Sequence, residues 1–576
     1  MTMVRIVPCR MAGLVVTLAL IGAACSDAPQ APASGLRVGV AAVPITPCGE
    51  NADWDGPVTA SGVWGEIYDD ANGNGRYDAG EAFTDDPANE VLDPQSKGKY
   101  DGIYMAGFGA DRIALGCHDD LWARTIVIDD GRTTFALTSV DLVGTLKYGS
   151  YYGFVHAEAM VDPALGIDHF FYSSTHNHQG PDALGLWGPD TLVDGKFPRY
   201  LTFVDRQVAK AVALAAGALA PVRQVRAFRT DATANPELVG LQVRTGCRPP
   251  WIFDSELRAL AFDGADGTIA TLLNWGTHPE SLESENELIT SDFPHYIRDE
   301  VERRIGGTTV YVSADLGAAE IVGDTCVTGA DARHPDGSNE FDSRDDIGFP
   351  RTESIGRLVG GVAADGLLAA AAVDVSAIDV RTASRRASSS NATFELGRML
   401  GLLDVDAAVY DPAQCPGGTG LCALLEQAAI TLADRTGAPQ IQIVTVPGEL
   451  FPELYLGVAT HRRTDCPAAD TGRPAEPSIR DAMDAPFKLV VGLSPDELGY
   501  VVPGYDYYPA NVFDEQRDPC DGRNYDPDYP RRTVPTHYHE VLSLGAETAS
   551  YVTCTAVELL RGPGAVAEEP ACRALP

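Results

Sequence analysis

The sequence predicts an α/β fold, with one large mixed α/β domain whose strands end at a common site. Apolar runs typical of strands alternate with helical runs along most of the 576 residues, and this alternation is typical of α/β architectures. Several strand-like runs end directly in polar clusters, as strands do where α/β sheets form ligand sites. No clear linker divides residues 36–560, so a single domain is favoured over the three or four that chain length alone suggests.

The elements follow in a regular order after an irregular start. The first predicted strand covers residues 36–45. Residues 48–103 are polar, acidic and rich in Gly and Asn, so we expect an insertion there. Regular alternation then begins, and residues 561–576 are expected to form a C-terminal tail. Strands are predicted at 134–143, 170–174, 269–275, 308–313, 441–446 and 487–493, and helices at 203–219 and 355–371.

The charge of the chain excludes some partners. It carries 81 Asp and Glu against 43 Lys and Arg, a formal net charge of −38. Nucleic acid is excluded because its phosphates require clustered Lys and Arg. Electrostatic adhesion to anionic lipid headgroups is disfavoured for the same reason. The composition is compatible with an exported protein that binds cations.

The N-terminus is predicted to be an export signal. Two arginines precede an apolar run of fourteen residues, 11–24, which is too short to span a bilayer and suits a signal peptide at residues 1–25. Small residues before Cys25 resemble a bacterial lipobox, in which this Cys becomes lipidated. Residues 26–35 would then be a linker. We expect either a cell-envelope lipoprotein in the periplasm or on the outer surface, touching the membrane through this lipid anchor, or ordinary secretion.

The cysteines favour disulfide bonds. Apart from Cys9 and Cys25 there are ten, and none forms a C-x-x-C pair, so zinc ribbons and thioredoxin motifs are disfavoured. An even number in an exported chain indicates up to five disulfides. Cys415 and Cys422 bracket a Pro-Gly-Gly turn and are predicted to pair.

Four strand-like runs end in side chains that bind metals. The run at 170–174 leads into Thr-His-Asn-His, which contains His176 and His178. The run at 269–275 leads to His278, the run at 441–446 to Glu449, and the run at 487–493, through a short loop, to Tyr500. Imidazole and carboxylate are ordinary ligands of zinc, and a catalytic zinc ion keeps one position open for a water molecule that ionises near neutral pH. The two histidines of the H-x-H pair share one face on a strand. In a turn they diverge, one as a ligand and one as an acid or base.

These segments resemble the neutral/alkaline ceramidase family, which are zinc amidases that cleave ceramide. The stretch Ser-Thr-His-Asn-His-Gln-Gly-Pro at 174–181 resembles the family signature T-H-T-H-S-G-P. Asn-Trp at 274–275 with His278-Pro279, followed by Leu-Ile-Thr-Ser-Asp at 288–292, is similar to the second histidine block. Val-Pro-Gly-Glu at 446–449 matches the V-P-G-E block. The resemblance implies the family's N-terminal catalytic domain over residues 36–560, without the C-terminal immunoglobulin-like domain of many ceramidases.

The resemblance implies an exported zinc-dependent amidohydrolase that cleaves the amide bond of ceramide or a related N-acyl lipid with zinc-activated water. His178 falls at the position of a catalytic histidine. Glu540-Val541-Leu542-Ser543 resembles the family's Y-E-A-A-S, which puts His539 at the position of a catalytic Tyr, with Tyr538 beside it. Either side chain could hydrogen-bond a tetrahedral oxyanion. The implied ligands of the one catalytic zinc ion are His176, His278, Glu449 and Tyr500.

The sequence departs from the family in two segments. Glu320 stands where the family has an active-site Ser, and no counterpart of the segment that supplies a catalytic Arg is found between 229 and 255. A zinc–water mechanism survives loss of the Ser, whereas a serine acyl-enzyme would not. Two alternatives therefore stay open. One is a zinc hydrolase of another amide or ester, and the other is a non-catalytic surface lipoprotein that retains the fold.

A second metal site is predicted within the insertion. Residues 70–81, DANGNGRYDAGE, match the spacing of the twelve-residue calcium loop, with Gly at position 6 and Glu at position 12. The flanks do not resemble EF-hand helices, so we expect one structural calcium ion rather than a sensor. The predicted ligands are Asp70, Asn72, Asn74, the backbone carbonyl of Arg76, Asp78 and Glu81.

Overall fold

The computed structural model describes residues 35–230, 252–319, 348–403, 405–406, 409–415, 422–458, 472–507, 538–573 and 575. Contacts divide the chain into Met1–Pro32 and Ala33–Pro576. The first unit, with the predicted signal peptide, lies outside the described residues. Within the described ranges, no helix combines the length and the hydropathy needed to cross a bilayer.

The strands and helices are numbered in chain order. The strands are β1 (Arg37–Pro44), β2 (Gly116–Cys117), β3 (Trp122–Asp129), β4 (Thr134–Val140), β5 (His169–Ser174), β6 (Ala220–Pro221), β7 (Gln224–Arg229), β8 (Arg258–Asp263), β9 (Thr268–Trp275), β10 (Leu288–Ile289), β11 (Thr308–Ser313), β12 (Ala372–Val373), β13 (Ala377–Ser388), β14 (Cys422–Ala433), β15 (Pro439–Thr445), β16 (Glu449–Leu450), β17 (Phe487–Val491) and β18 (Tyr500–Val501). The α-helices are α1 (Pro87–Leu92), α2 (Phe154–Met160), α3 (Pro198–Gly217), α4 (Phe293–Ile305), α5 (Phe349–Ala369), α6 (Ala392–Met399), α7 (Pro452–Leu456), α8 (Ile479–Ala482), α9 (Tyr538–Val541), α10 (Thr548–Arg561), α11 (Pro563–Val566) and α12 (Pro570–Arg573).

Three mixed sheets carry the fold, and the prediction of a mixed α/β architecture is confirmed. Their strand orders are β5-β4-β3-β1-β6, β11-β9-β8-β7-β12 and β13-β14-β15-β17. Most neighbours are antiparallel, but each sheet contains one parallel pair at an edge: β4 with β5, β9 with β11, and β15 with β17. These parallel pairs contain the strands that precede the predicted metal ligands.

One apolar core lies between the three sheets. Phe135 of β4, Leu272 of β9 and Ile443 of β15 belong to one buried cluster. Side chains alternate between the two faces of a strand, so the opposite face of each sheet is free to pack elsewhere. Helix α3 covers the opposite face of the first sheet, and α4 and α5 cover that of the second.

Buried side chains join the sheets to one another at their parallel edges. Ser173 Oγ of β5 donates to Gly492 O, 3.0 Å away and just after β17. Asn274 Nδ2 of β9 donates to Val490 O of β17, at 2.8 Å. Ser313 Oγ at the end of β11 donates to Thr175 O, at 2.7 Å and just after β5. Each pair of sheets is therefore connected by a side-chain bond to the backbone at the strand ends.

The irregular segments are packed against this framework. In the predicted insertion, the indole of Trp64 is fully buried and stacks on Trp54 with ring centroids 4.1 Å apart. One disulfide ties Cys48 to Cys117, and another ties Cys554 of α10 to Cys572 of the predicted tail. The predicted Cys415–Cys422 pair is confirmed. Four further cysteines lie outside the described residues: Cys247, Cys326, Cys466 and Cys520.

A buried ion pair fixes the end of β4 relative to helix α4. Arg298 donates from Nη1 and Nη2 to the two oxygens of Asp141, at 2.8 and 2.9 Å. The same carboxylate accepts from Trp122 N and Ser291 Oγ, at 2.9 and 2.8 Å. Both charged residues are about fully buried, with 2% and 0% of their surface exposed. The carboxylate thus accepts four hydrogen bonds, one at Oδ1 and three at Oδ2, which makes burial of the pair tolerable.

We expect Asp141→Ala to lower the free energy of unfolding by about 3–5 kcal/mol, because the guanidinium of Arg298 would remain buried without its partner. The midpoint of unfolding in guanidinium chloride, monitored by tryptophan fluorescence, measures this change. Asp379→Ala is the control, since both side chains of the Asp379–Arg381 pair are more than half exposed and exposed pairs contribute about 0–1 kcal/mol. Equal shifts in the two variants would contradict the prediction.

Candidate active site

The first histidine pair lies in the turn that follows β5. His176 has a φ of 66°, a left-handed conformation that is costly for a residue with a Cβ. Its Nδ1 lies 2.6 Å from Val143 O. A carbonyl only accepts hydrogen bonds, so Nδ1 carries the proton and the lone pair of Nε2 is directed into the site. Of the two alternatives for the H-x-H pair, the structure has the turn, in which the two rings are inclined by 72°.

The second histidine block is held in the same way. His278 lies in the loop after β9, and both its backbone N and its Nδ1 hydrogen-bond to Ala319 O, at 2.8 and 3.0 Å. The Nδ1–H tautomer is therefore also fixed for this ring, and its Nε2 is directed into the site. Held in one tautomer by a backbone carbonyl, both imidazoles are arranged as metal-ligating histidines usually are.

The carboxylate and the phenol come from two adjacent short strands. β16 and β18 are parallel, and Glu449 and Tyr500 are direct partners in their ladder. β16 follows the edge strand β15, and β18 follows β17, so the parallel edge of the third sheet supplies both residues. Side chains of direct partners point to the same face. The structure thus brings Glu449 and Tyr500 to the site at which the histidines lie.

The distances among these groups fit a metal ion. Glu449 Oε2 lies 3.3 Å from His176 Nε2 and 3.0 Å from His278 Nε2. Two ligands at about 2.0–2.1 Å from a tetrahedral zinc ion are roughly 3.3 Å apart. A carboxylate oxygen this close to both Nε2 atoms requires positive charge between them, either as a metal ion or as protons on the rings. Ligand atoms of His176, His178 and His278 also lie within 4.8 Å of one another. The donor set therefore fits zinc.

The ionisation of the site follows from burial and from its neighbours. Burial by itself would raise the pKa of Glu449, but attraction to His176 and His278 outweighs it and holds the pKa well below the usual range. Glu449 is therefore an ionised carboxylate. Burial, and next the neighbouring imidazoles of His176 and His278, lower the pKa of His178 well below its ordinary value. His178 is neutral at physiological pH and can accept a proton.

His178 lies beside the ligand group and is positioned by a close backbone approach. Both of its ring nitrogens are buried, and neither makes a hydrogen bond to any of the described residues, although Nδ1 lies 3.4 Å from Glu280 Oε2. Gly107, with a φ of +96°, abuts the ring so closely that a Cβ there would lie 2.3 Å from it. The imidazole is thus fixed in place while a nitrogen stays available to a ligand in the cavity.

These groups lie in a cavity of about 380 Å³ whose other walls are mostly apolar. The apolar lining side chains are Phe108, Val143, Leu184, Leu186, Trp187, Phe394, Leu403 and Leu542. One wall is shaped by Asp182, whose buried carboxylate accepts from four backbone N–H groups, those of Leu184, Gly185, Trp187 and Gly195, at 2.8–3.2 Å. The cavity therefore combines a polar end with an apolar passage.

Sequence reasoning missed three acidic residues that line this cavity, Glu280, Glu283 and Glu497. Glu280 directly follows His278-Pro279, and Glu497 lies in the loop before Tyr500, so their place beside strand ends was a signal. Burial raises the pKa of Glu497 well above its ordinary value, and the charge of Glu449 adds to this effect. Its Oε1 accepts a hydrogen bond from Gly499 N at 2.9 Å, and its buried Oε2 makes none to the described residues.

The remaining predicted residues lie at the edge of the site or away from it. His539 is fully buried, with its ring centroid 4.6 Å from that of Tyr500 and 5.0 Å from that of Phe451, and it packs behind Tyr500. The backbone of Tyr538 begins α9, but its side chain lies outside the described residues, as does Glu320. The oxyanion role implied for His539 or Tyr538 stays a prediction.

The loop 70–81 lies in the insertion and does not line the cavity. The Asp70 carboxylate accepts from the backbone N of Gly73, Asn74 and Gly75, at 2.7–3.1 Å. The Glu81 carboxylate accepts from two further backbone groups of the loop, at 2.8 and 3.0 Å. The first and twelfth residues therefore close the loop on itself.

Comparison with known proteins identifies the fold. No protein-family model matches the sequence, and no curated protein matches it. A crystal structure of neutral ceramidase from Pseudomonas aeruginosa is similar, with a TM-score of 0.52 and 14% identity over 91% of this chain and 74% of that one. A ceramidase complexed with C2 is similar at 0.50 and 13%, over 91% and 75%. The resemblance read from the motifs is confirmed for the fold, which is that of these ceramidases.

The buried carboxyl of Asp496, next to Glu497, should make the stability of the protein depend on pH. Burial raises the pKa of Asp496 to about 6, against an ordinary value of about 4. Ionisation is disfavoured only in the folded protein, so the stability that this group contributes is lost as the pH rises from about 4 to about 6. The amide of Asp496→Asn does not ionise, so the variant does not lose this stability as the pH rises. Relative to the wild type, the variant is therefore expected to gain roughly 3 kcal/mol between about pH 4 and about pH 7.

Midpoints of denaturant unfolding at both pH values measure this effect. The amide can accept the two hydrogen bonds that Lys147 N and Glu497 N now donate to Oδ1, and its nitrogen faces the hydroxyl of Tyr410. Asp379→Asn, at an exposed carboxylate, is the control and should show no such pH dependence. A difference between Asp496→Asn and the wild type that does not change with pH would rule out the prediction.

Proposed function

We propose that this protein is a zinc-dependent amidohydrolase that cleaves the amide bond of ceramide or a related N-acyl lipid. The observation that carries the proposal is the carboxylate of Glu449 facing the Nε2 atoms of His176 and His278 at 3.3 and 3.0 Å. This group lies in an apolar-walled cavity on the fold of neutral ceramidase. A fold hosts many functions, and the residues of the site distinguish among them.

The zinc ion would be held by His176, His278, Glu449 and Tyr500. When bound, it supplies a Lewis acid that polarises the amide carbonyl and lowers the pKa of water. His178 is neutral and lies beside the ligand group, so it can take a proton from the attacking water and return it to the departing amine. His539 or Tyr538 would stabilise the negative charge that develops on the carbonyl oxygen.

The lipid character of the substrate is supported by the passage that leads to the polar end of the cavity. Leu184, Leu186, Leu403 and Leu542 line it, and an acyl chain placed along these side chains would leave water as it binds. A short polar amide would not use this wall. The acidic side chains of Glu280 and Glu283 would face the hydroxyl or amine groups on the other side of the amide.

Substitution of the two histidines separates metal binding from proton transfer. His176→Ala is expected to lose both bound zinc and turnover, because it removes a ligand. His178→Ala is expected to keep zinc but to lose about 10²–10⁴-fold in kcat, the usual contribution of a general acid or base. Metal content by plasma mass spectrometry and hydrolysis of a fluorescent short-chain ceramide, with simple N-acyl amides as a panel, provide the two measurements.

His169→Ala is the matched control, since His169 lies at the other end of β5 and should affect neither quantity. Retained turnover in His176→Ala would refute the mechanism. A wild type that binds zinc and cleaves simple amides or esters but no N-acyl lipid would favour the broader hydrolase. A zinc-loaded wild type inert towards the whole panel would favour the non-catalytic lipoprotein.

We further propose that the loop 70–81 binds one structural calcium ion. The twelve-residue spacing of its oxygen-bearing side chains supports this. Calcium at a hundredfold excess over its Kd should stabilise the wild type by about 2.7 kcal/mol, and Asp70→Ala should abolish this stabilisation. Thermal unfolding with and without calcium measures it, with Asp69→Ala as a control of the same charge change outside the spacing. Equal stabilisation of Asp70→Ala and the wild type would exclude the loop as the site.

We also propose that the enzyme is exported and that Cys25 is lipidated. The sequence of the N-terminal segment supports this. A lipid anchor there would hold the enzyme at a membrane of the cell envelope, and cleavage without lipidation would release it. In both cases the protein reaches a compartment in which the disulfides form.

A further inference from the structure

Exposed apolar side chains lie on the segments that line the cavity, and we call these residues the apolar rim. Four residues form it, and 37%, 74%, 48% and 38% of their surfaces are exposed: Leu186, Met399, Leu400 and Leu542. Leu186 and Leu542 also line the cavity. Met399 and Leu400 lie at the end of α6, between the cavity-lining residues Phe394 and Leu403. Exposed apolar side chains therefore occur on the same short segments as the apolar side chains that line the cavity.

The three segments that carry the rim are bonded to one another. Asn391 Nδ2, at the start of α6, is within hydrogen-bond distance of the carbonyls of Glu540, Val541 and Ser543, at 2.7–3.1 Å, on both sides of Leu542. Lys196 Nζ donates to Leu402 O at 3.0 Å, which joins the segment after α6 to the loop that contains Leu186. Exposure of the rim is thus a property of a fixed framework.

The electrostatics select the kind of surface that the rim can meet. On α6 itself, Glu395 and Arg398 form a pair at 3.1 Å, so the helix that carries half of the rim has no net charge from these two residues. The chain as a whole carries −38 and is repelled by anionic surfaces. Contiguous exposed apolar groups mark sites of association, and an uncharged apolar rim suits a lipid surface without net charge.

We propose that the apolar rim docks the protein onto the surface of a zwitterionic lipid bilayer or micelle, so that a lipid enters the cavity without passing through water. This inference rests on the proposed function, because the occupant of the cavity is taken to be an N-acyl lipid. The rim side chains insert among the acyl chains, and the passage lined by Leu184 and Leu403 continues the apolar environment towards the polar end.

The test compares binding to vesicles with turnover of soluble substrate. Met399→Ser/Leu400→Ser removes half of the rim without touching a residue that lines the cavity. Leu214→Ser/Leu368→Ser is the matched control, at two leucines that are 51% and 59% exposed and do not line the cavity. All proteins carry Cys25→Ser, so that no lipid attached at that residue contributes. Binding is measured by co-sedimentation with phosphatidylcholine vesicles, on chelator-treated protein without substrate.

We expect the rim variant to bind these vesicles at least tenfold more weakly than the wild type, and the control to bind as the wild type does. Binding of the wild type to phosphatidylglycerol vesicles should be weaker than to phosphatidylcholine. Turnover of a short-chain amide dissolved as monomers should change by less than twofold in the rim variant, whereas turnover of a vesicle-embedded N-acyl lipid should fall at least tenfold.

Unchanged vesicle binding of the rim variant would overturn the inference, as would a wild type that does not bind. Stronger binding to phosphatidylglycerol would overturn the choice of a zwitterionic surface. A wild-type dimer that the rim substitutions dissociate, detected by light scattering, would make the rim a protein interface instead. Vesicle binding that depends on the rim, without hydrolysis of any amide, would refute the proposed function and leave the docking intact.

Discussion

The fold depends on three buried hydrogen bonds that tie the parallel edges of its sheets together. Ser173, Asn274 and Ser313 each donate a side-chain hydrogen bond to the backbone of a neighbouring sheet. An unpartnered polar group in such an interior would be costly, so these bonds fix the relative positions of the strand ends. His176, His278 and Glu449 follow strand ends by two to four residues, and Tyr500 follows β17 by nine. The positions of the first three side chains are therefore set mainly by the joint between the sheets.

Much of this arrangement could be predicted from the sequence because strands and their ends have local signals. The strand predicted at 308–313 is observed with the same bounds, and the others differ by a few residues at their ends. The polar clusters at strand ends also identified His176, His278, Glu449 and Tyr500, which the structure brings to one cavity. Their shared chemistry, rather than their spacing along the chain, was the useful signal.

The rest could not be predicted because it depends on contacts between distant segments. The left-handed turn at His176 is stabilised by a hydrogen bond from its Nδ1 to Val143 O. The residues next to His176 in the sequence do not predict this bond. The acidic lining residue Glu280 is significant only because His178 lies beside it. The residues read as an insertion and a tail are fastened to the domain by Trp64 and by disulfides, and no local pattern gives the pairing partners.

The hydrogen bonds of Asp182 affect how the cavity binds a ligand. With four backbone N–H groups wrapped around one carboxylate, the wall that carries Leu186 is ordered when the chain folds. The conformational entropy of this wall is lost when the protein folds, so it is not lost again when a ligand binds. A preorganised wall of this kind lets the hydrophobic contact itself set the affinity, without a penalty for arranging the loop.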